Sequence, residues 1–299
     1  MILLTGATGF LGSKLLIDLL DKNYEIVALK RSSSNTVRIS KVIKNKKLHL
    51  LNIDLIDTRE IFNMYSIDTI IHTATDYGRN ETPVYKIVEA NLLFPLRLAE
   101  QGISRGIKTF INTDTFFNKG KISYSNLLNY SLSKKNLLFC LEKLSDKMKV
   151  INVVLEHMYG PYDSDTKFVE NMIQKIAVER VPKISLTKGH QKRDFIYVND
   201  VVSAYLVLVE YGRIKNFLFE TFELGTGQCT MIKDFCEKIK FLSNSSTILA
   251  FGDVPYRADE IMESRANISK LQRLGWSPIF SLSEGLERIV NEYDSNSHK

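Results

Sequence analysis

Short apolar segments alternate with amphipathic ones along the first half of the chain. Apolar runs rich in β-branched residues predict strands, and longer stretches with a helical apolar period predict helices. Strands separated by helices in this way favour parallel pairing through crossover connections, so the pattern predicts an α/β fold with a doubly wound parallel sheet. The predicted strands are residues 2–4, 25–29, 48–53, 68–72, 108–112 and 149–155, and the predicted helices are residues 11–20, 84–99 and 131–144.

The alternation loosens after residue 155, where Gly160 and Pro161 form a strong break. We expect residues 1–160, with a return segment of about residues 192–220, to form the main domain. Residues 161–299 should form most of a smaller C-terminal α/β lid that binds substrate. The elements predicted there are a strand at residues 194–198 and helices at residues 168–181, 200–209, 231–242 and 282–293.

Composition narrows the class of protein further. Hydrophobic residues make up 44% and charged residues 25% of the 299 residues, which is typical of a globular protein. The net charge of +6 comes without a nucleic-acid-reading motif, so a nucleic-acid partner is not expected. No apolar run reaches the ~18 residues that span a bilayer, and no signal peptide precedes the first strand. The three cysteines fit no metal or disulfide pattern, which suits a reducing cytoplasm and predicts no metal site.

A glycine-rich turn joins the first predicted strand to the first predicted helix. Its G-x-x-G-x-x-G spacing permits a tight turn, a close approach of the backbone to a pyrophosphate, and close packing of helix on sheet. The helix N-terminus would bind the phosphates through its free N–H groups. The motif therefore predicts a Rossmann-type dinucleotide site, with an ordinary glycine-rich βα turn as the alternative. The expected cofactor contacts here are Gly6, Thr8, Gly9, Phe10, Leu11 and Gly12.

The end of the second strand bears on the choice of dinucleotide. An acidic residue there would bind the ribose 2′-hydroxyl of NAD, but Lys30, Arg31 and Ser32 stand there and suit a 2′-phosphate. NADP(H) is therefore favoured and NAD(H) is the alternative, unless Lys30 and Arg31 are solvated loop charges. Asp54, followed by Leu55, is a candidate to bind the adenine amino group, or it forms a loop Asx-turn instead.

Tyr130 and Lys134 are four residues apart and share one face if their segment is helical. The pKa of a free tyrosine is near ~10, and a nearby ammonium lowers it, so that Tyr130 can exchange a proton with a sugar oxygen. Lys134 would also reach the nicotinamide ribose. A hydroxyl at the end of the fifth strand should hold the substrate oxygen. Thr113 and Thr115 both qualify, and Thr115 is favoured because it lies nearer the catalytic edge, although both residues could instead form ST-turns.

These motifs, together with RDFIYVNDVVSAY at residues 193–205, resemble the extended short-chain dehydrogenase/reductase family, in its sugar-nucleotide epimerase/dehydratase branch. The resemblance covers nearly the whole chain. Shorter stretches, including IIHTATDYG, NTDTFF, LEHMYGPYD, KFV and YRADEIM, are similar to the CDP-abequose synthases. Those enzymes are NADPH-dependent reductases of a CDP-linked 4-keto-3,6-dideoxyhexose in O-antigen synthesis. The wider family commonly has Asn where this chain has His157, with an Arg shortly before it.

The resemblance implies further site residues, with Phe168 and Val169 at the nucleotide base. Arg193 and Arg257 would bind its diphosphate, the alternatives being an ion pair of Arg193 with Asp194 or Asp200 and a solvated Arg257. The implied cofactor contacts are Thr73, Ala74, Thr75, Tyr77, Asn91, Thr113, Tyr130, Lys134 and His157. The implied substrate contacts are Tyr77, Thr115, Phe116, His157, Phe168, Val169, Arg193 and Arg257.

The resemblance implies NADPH-dependent reduction of the 4-keto group of a CDP-type deoxyhexose for surface polysaccharide, by a cytoplasmic homodimer. An NAD-dependent 4-epimerase or 4,6-dehydratase is the alternative. A dehydratase has Asp-Glu directly after its catalytic Thr, whereas Phe116 and Phe117 follow Thr115. If Thr113 is the catalytic residue, Asp114 follows it but Thr115 replaces the Glu. A redox sensor without catalytic activity on the same fold is a further alternative.

Overall fold

The computed structural model describes residues 1–79, 81–120 and 125–297, and the chain divides into two compact units. The first unit comprises Met1–Val154 and Val202–Phe222, and the second comprises Leu155–Val201 and Glu223–Lys299. None of the helices found in the described part of the chain combines the length and the apolar character that crossing a membrane requires.

The strands and helices follow one another along the chain with short connections. Two π-helical turns, Glu89–Leu93 and Gln174–Val178, directly follow the third and sixth helices. The strands are β1 (Ile2–Thr5), β2 (Ile26–Lys30), β3 (Leu48–Asn52), β4 (Thr69–His72), β5 (Thr109–Thr115), β6 (Lys149–Leu155), β7 (His157–Tyr159), β8 (Lys183–Leu186), β9 (Lys192–Arg193), β10 (Phe195–Tyr197), β11 (Phe219–Leu224), β12 (Thr230–Met231), β13 (Ile248–Phe251) and β14 (Glu263–Ser264). The helices are α1 (Phe10–Asp21), α2 (Thr58–Met64), α3 (Val84–Val88), α4 (Phe94–Ile103), α5 (Leu128–Leu144), α6 (Phe168–Ile173), α7 (Val198–Ile214), α8 (Ile232–Leu242), α9 (Ser269–Arg273) and α10 (Leu282–Ser297).

A seven-stranded sheet lies at the centre of the first unit, in the order β11-β6-β5-β4-β1-β2-β3. β1 pairs in parallel with both β2 and β4, and β2 with β3 and β4 with β5 are also parallel. The strands are apolar because helices cover both faces of such a sheet. The chain runs outward from β1 through β2 to β3, and then returns to β4 on the other side of β1. This reversal confirms the predicted doubly wound α/β sheet and opens a crevice at the carboxyl ends of β1 and β4.

Some elements of the first unit differ from the prediction where polar residues interrupt an apolar period. β5 continues to Thr115, whereas the predicted strand ends at residue 112, because the polar side chains beyond it find buried partners. β11 was not predicted, since the polar residues of its sequence FETFEL interrupt both an apolar run and a regular alternation. The predicted helix at residues 84–99 corresponds to α3, a π-helical turn and α4, ending at Ile103.

The second unit contains short strands and helices around its own apolar core. β7 pairs in parallel with β10, β8 pairs in parallel with β13, and β9 lies between β12 and β14. The predicted strand at residues 194–198 corresponds to β10, and the predicted helix at residues 168–181 is divided between α6 and a π-helical turn. The core of this unit includes Tyr159, Ile173, Phe195, Phe235, Ile239, Leu286 and Ile289.

Candidate active site

The turn between β1 and α1 has room for glycine alone at two positions. Gly6 has a φ of +69°, and a Cβ placed on it would lie 2.7 Å from the backbone nitrogen of Ala74. A Cβ on Gly12 would lie 2.1 Å from the carbonyl oxygen of Gly6. Gly9 precedes α1 as its N-cap, and its N–H donates to the Gly6 carbonyl oxygen at 2.9 Å. The result is a compact backbone loop that ends at the N-terminus of a helix.

This loop fits the diphosphate of a dinucleotide. Backbone N–H groups at the N-terminus of a helix point along its axis toward a ligand, and the helix dipole favours an anion there. The first turn of α1 carries no acidic residue that would oppose a phosphate. The predicted contacts Gly6, Thr8, Gly9, Phe10, Leu11 and Gly12 therefore lie together on one loop and helix end.

Hydrogen bonds connect the loop after β4 to Thr5, at the start of the β1 turn. The hydroxyl of Thr5 accepts hydrogen bonds from the backbone N–H groups of Thr73 and Ala74, both at 3.2 Å. Thr73 Oγ1 donates in return to the Thr5 carbonyl oxygen at 2.8 Å. These contacts hold the predicted cofactor contacts Thr73 and Ala74 beside Gly6, at the crevice where the sheet reverses direction.

Asn91 fixes the next part of the same loop. The side chain is fully buried in the first π-helical turn, and its Oδ1 accepts from the N–H of Asp76 at 2.7 Å and from the Thr75 hydroxyl at 3.3 Å. Its Nδ2 donates to the carbonyl oxygen of Asp76 at 2.7 Å and to Ser133 Oγ of α5 at 3.1 Å. Asn91 thus joins the β4 loop to the helix that carries Tyr130.

The ends of β2 and β3 are connected through one carboxylate. Asp54 accepts from the backbone N–H of Ser32 at 2.8 Å and from the Ser32 hydroxyl. These two hydrogen bonds lower the pKa of Asp54. The backbone N–H of Arg31 donates to Ser34 Oγ at 3.1 Å. The side chains of Arg31 and Leu55 are exposed. Asp54 therefore orders the segment that carries Arg31. Its contact with Ser32 was not predicted from the sequence.

Tyr130 and Thr115 lie together at the carboxyl end of β5. Both side chains are buried, with 6% and 5% of their surface exposed, and the Thr115 hydroxyl lies close enough to the Tyr130 phenol to affect its pKa. Thr115 Oγ1 accepts from the N–H of Phe117 at 3.4 Å, which is the ST-turn considered from the sequence. The ring of Tyr77 lies 4.9 Å from that of Tyr130, and the ring of Phe117 stands edge-on to it at 6.4 Å. Phe116, a predicted substrate contact, packs against Phe117 with ring centroids 4.0 Å apart and the ring planes tilted by 34°.

Burial acts in opposite directions on the pKa values of Tyr130 and Lys134. Burial and then the nearby Tyr77 raise the pKa of Tyr130 well above its ordinary value, while the Thr115 hydroxyl opposes the shift. The lowered pKa predicted from the neighbouring Lys134 is therefore wrong, because burial outweighs the charges nearby. Burial lowers the pKa of Lys134 to about 8, against the attraction of Asp114. Lys134 Nζ donates to the carbonyl oxygen of Thr113 at 2.7 Å. At neutral pH the phenol thus keeps its proton and Lys134 is mainly cationic.

Thr113 and Thr115 have different partners. The Thr113 hydroxyl shares a hydrogen bond of 2.6 Å with the hydroxyl of Tyr205, a buried residue of α7. Between the two threonines, the buried Asp114 accepts from Asn152 Nδ2 at 3.1 Å, from Asn118 Nδ2 at 2.7 Å and from the N–H of Thr115 at 2.8 Å.

Three residues of this region were not predicted from the sequence, namely Asn118, Asn152 and Tyr205. One signal was present, because Asn152 interrupts the apolar run KVINVVL of β6. A polar side chain inside a buried strand requires a partner, and here its partners are Asp114 and Asn112.

The second unit holds the remaining predicted contacts. His157 Nδ1 lies 3.7 Å from a carboxylate oxygen of Glu156, which in turn accepts from the Ser264 hydroxyl at 2.8 and 2.9 Å. Burial lowers the pKa of His157, and Glu156 opposes that shift. Phe168 is 38% exposed, whereas Val169 is buried in the core of this unit. Phe168 thus has accessible surface for a ligand, while most of the Val169 side chain is covered by the core.

Arg193 forms an ion pair with Glu260, a carboxylate that was not considered from the sequence. The guanidinium contacts Glu260 at 2.6 Å, and both side chains are about nine-tenths buried. Asp194 accepts from the backbone N–H groups of Thr226, Gly227 and Ala266 and from the Thr226 hydroxyl. Asp200 accepts from two backbone N–H groups, at 3.0 and 3.1 Å. Asp194 and Asp200 therefore stabilise the loops whose backbone N–H groups they accept from, because one buried carboxylate can accept several hydrogen bonds.

Arg257 is exposed, and it lies in a turn in which the N–H of Glu260 donates to the Arg257 carbonyl oxygen at 3.2 Å. Because Glu260 also pairs with Arg193, the same turn carries Arg257 and the partner of Arg193. The two predicted diphosphate ligands therefore belong to one local arrangement in the second unit.

Comparison with known proteins identifies similar chains along nearly the whole length. A CDP-abequose synthase from Salmonella muenchen is 39% identical over 294 residues, which cover 97% of each chain. A CDP-abequose synthase from Salmonella typhimurium is 33% identical over 302 residues, again covering 97% of each. Among solved structures, a UDP-glucuronic acid 4-epimerase from Bacillus cereus, in complex with UDP-glucuronic acid and NAD, superposes with a TM-score of 0.84. It is 24% identical and covers 99% of each chain, which supports the fold.

The family model of the NAD dependent epimerase/dehydratase family matches residues 2–218. This match includes the glycine turn, the β4 loop and the Tyr130–Lys134 helix, and it agrees with the family resemblance of the motifs. The chain therefore belongs to the NAD dependent epimerase/dehydratase family.

Proposed function

We propose that this protein reduces the 4-keto group of a CDP-linked deoxyhexose with NADPH. The observation that carries the proposal is the buried Tyr130, with Thr115 beside it, at the carboxyl end of β5 in a dinucleotide-type sheet. The 39% and 33% identity with proteins named CDP-abequose synthase supports the CDP-linked substrate. We infer from the same relatives that the product enters O-antigen synthesis for lipopolysaccharide, in the cytoplasm.

Reduction of a ketone requires a hydride at carbon and a proton at oxygen. A bound nicotinamide would supply the hydride, and the residues described here would place the ketone and deliver the proton. Tyr130 would donate its proton to the C4 oxygen, and the Thr115 hydroxyl would hold that oxygen beside the phenol. Because the pKa of Tyr130 is raised, the phenol carries a proton at neutral pH, which is the form that a reductase needs. The cationic Lys134 would favour the phenolate left after the transfer.

The proposed substrate contacts in the second unit suit a nucleotide diphosphate. Arg193 and Arg257 would bind the phosphates, since a guanidinium is always charged and donates in a bidentate geometry. The exposed ring of Phe168 would pack on the base, and His157 would border the sugar. Arg193 would have to share or exchange its partner Glu260 when a diphosphate binds.

The polar residues of the site favour reduction over dehydration. A 4,6-dehydratase needs a carboxylic acid and a second carboxylate to remove water, and this chain has Thr115 where the second would stand if Thr113 were catalytic. The only carboxylate of the TDT sequence, Asp114, is buried and accepts three hydrogen bonds from protein groups. A 4-epimerase, in which the cofactor is regenerated, is the second candidate, because epimerases share the fold. Net oxidation of NADPH separates the two.

The function is tested with a panel of 4-keto sugar nucleotides, recording the loss of NADPH absorbance. We expect one NADPH to be oxidised for each CDP-linked 4-keto-3,6-dideoxyhexose converted, and Tyr130→Phe to lower kcat by ~100-fold or more, because the proton donor is lost. The Kd for NADPH should change little in this variant. Turnover without net NADPH oxidation would indicate an epimerase, and full activity of Tyr130→Phe would exclude the proposed acid.

The two threonines provide a matched pair of variants. We expect Thr115→Val to lower kcat about tenfold, the scale of one hydrogen bond to a reacting oxygen. Thr113→Val should change kcat less, because its hydroxyl bonds to Tyr205 rather than to Tyr130. Steady-state kinetics of both variants with saturating NADPH makes the comparison. A larger loss of kcat in Thr113→Val would assign the catalytic hydroxyl to Thr113.

The preference for NADPH depends on Arg31 in this proposal. Arg31→Ala should raise the Kd for NADPH about tenfold and leave the Kd for NADH nearly unchanged, because only NADPH has a 2′-phosphate for the guanidinium. Lys41→Ala, which removes an exposed cation from the same segment, is the control. Both constants are measured from the quenching of tyrosine and tryptophan fluorescence. Equal losses for the two dinucleotides would contradict a role for Arg31 in this choice.

We propose a homodimer formed through α5 and the α3–α4 region. Exposed apolar side chains share one face of α5, at Leu128, Leu132 and Phe139, and Tyr85 and Leu93 are exposed on the neighbouring helices. Phe139→Glu should therefore give a particle of monomer mass in light scattering, against twice the 34.2 kDa chain for the unchanged protein. Phe241→Glu, at an 80% exposed phenylalanine of α8, should keep the dimer mass. A monomeric unchanged protein would refute this proposal.

A further inference from the structure

His72 is a fully buried histidine at the end of β4 and has no role in the proposed reaction. It lies opposite Thr5 in the parallel pairing of β4 with β1. Aromatic rings of two other elements surround it, since Phe94 of α4 and Phe110 of β5 have centroids 6.3 and 6.2 Å from the imidazole. Burial lowers the pKa of His72, and the positive charge of Lys134, on α5, acts on it in the same direction.

The hydrogen bonds of Thr5 assign the protonation state of His72. A hydroxyl has one proton to donate and two lone pairs to accept with. The Thr5 hydroxyl accepts from the N–H groups of Thr73 and Ala74, and its third partner is His72 Nδ1 at 2.8 Å. The hydroxyl proton must therefore point to His72, and Nδ1 must be the acceptor. His72 is neutral, with its proton on Nε2.

A second observation shows that this arrangement opposes stability. His72 Nε2 is buried and has no hydrogen-bond partner among the described residues. An N–H buried without a partner is destabilising, and an apolar side chain of similar size would avoid that penalty among the rings of Phe94 and Phe110. Burial, and then the Lys134 ammonium, also hold the pKa of His72 well below its ordinary value. The hydrogen bond that His72 makes is thus the one from the Thr5 hydroxyl to its Nδ1.

That contact acts on the predicted dinucleotide site. By accepting the Thr5 proton, His72 directs both lone pairs of the hydroxyl toward the N–H groups of Thr73 and Ala74. Ala74 in turn lies against Gly6, where a Cβ would come within 2.7 Å of its backbone nitrogen. Without the acceptor, the Thr5 hydroxyl could rotate, and one of these N–H contacts would be lost.

We propose that His72 is a positioning residue that orients the Thr5 hydroxyl and so preorganises the β1 turn and the β4 loop for dinucleotide binding. The inference rests on the proposed function only in that residues 6–12 bind a dinucleotide.

His72→Leu separates this role from a structural one. We expect the Kd for NADPH to rise about fivefold, the scale of one hydrogen bond, while the melting temperature stays the same or increases. His72→Asn should restore the Kd, because its Oδ1 can take the place of Nδ1 as acceptor. A lower melting temperature in His72→Leu with an unchanged Kd would make His72 a structural residue and overturn the proposal.

Thr5→Val tests whether His72 acts through Thr5. This variant should bind NADPH more weakly than the unchanged protein, and adding His72→Leu to it should cause no further loss, because the hydroxyl that His72 orients is already absent. Thr247→Val, at a buried threonine of the second unit whose hydroxyl pairs with Ser245, is the control and should leave the Kd unchanged. Additive losses in the double variant would refute the coupling.

The tautomer is measured independently of any variant's stability. The ¹⁵N shifts of His72, assigned by comparison with His72→Asn, should show an unprotonated Nδ1 and a protonated Nε2 throughout pH 5.5–8. A protonated Nδ1, or titration in this range, would overturn the proposal. If the unchanged protein binds neither NADPH nor NADH, the proposed function fails, whereas normal binding by both the protein and His72→Leu rejects the role of His72 alone.

Discussion

The close approach of two backbone segments at the carboxyl end of β1 determines the geometry of the site. Gly6 and Gly12 allow the β1 turn, the start of α1 and the β4 loop to pack together, and any larger residue would collide with backbone atoms. The Thr5 hydroxyl and the Thr73 side chain then fix that approach with hydrogen bonds. Because the sheet reverses direction between β1 and β4, this contact lies where a ligand can reach the ends of both strands.

The chemistry of the site depends on how buried polar groups are satisfied. Asn91 joins the β4 loop to α5, and Asp114 joins the end of β5 to β6 through Asn152. Each side chain has several partners, which makes a single local arrangement more favourable than its alternatives. Tyr130 and Lys134 are thereby held in buried positions, where loss of solvent keeps the phenol protonated and brings the pKa of the ammonium to about 8.

Local signals predicted the parts of the molecule that depend on neighbouring residues in the chain. The glycine spacing, the apolar strands and the Tyr130–Lys134 pair each follow from a short segment, and the predicted sheet and family were confirmed. Contacts between distant segments were not predictable in this way. Asp54 with Ser32, Thr113 with Tyr205, and Arg193 with Glu260 join residues that lie 22, 92 and 67 positions apart, and other carboxylates were equally plausible as partners of Arg193. The roles assigned to the site residues remain predictions.

The π-helical turn at Glu89–Leu93 has a consequence for comparing sequences of this family. A π turn holds one residue more than an α turn, so the side chains of α4 are displaced by about 100° around the axis relative to an uninterrupted helix. An apolar stripe counted at regular intervals from Val84 therefore falls out of phase beyond Asn91. Relatives that lack the inserted residue would present different side chains on the same face, and a gap placed there in an alignment would mark a structural difference rather than an error.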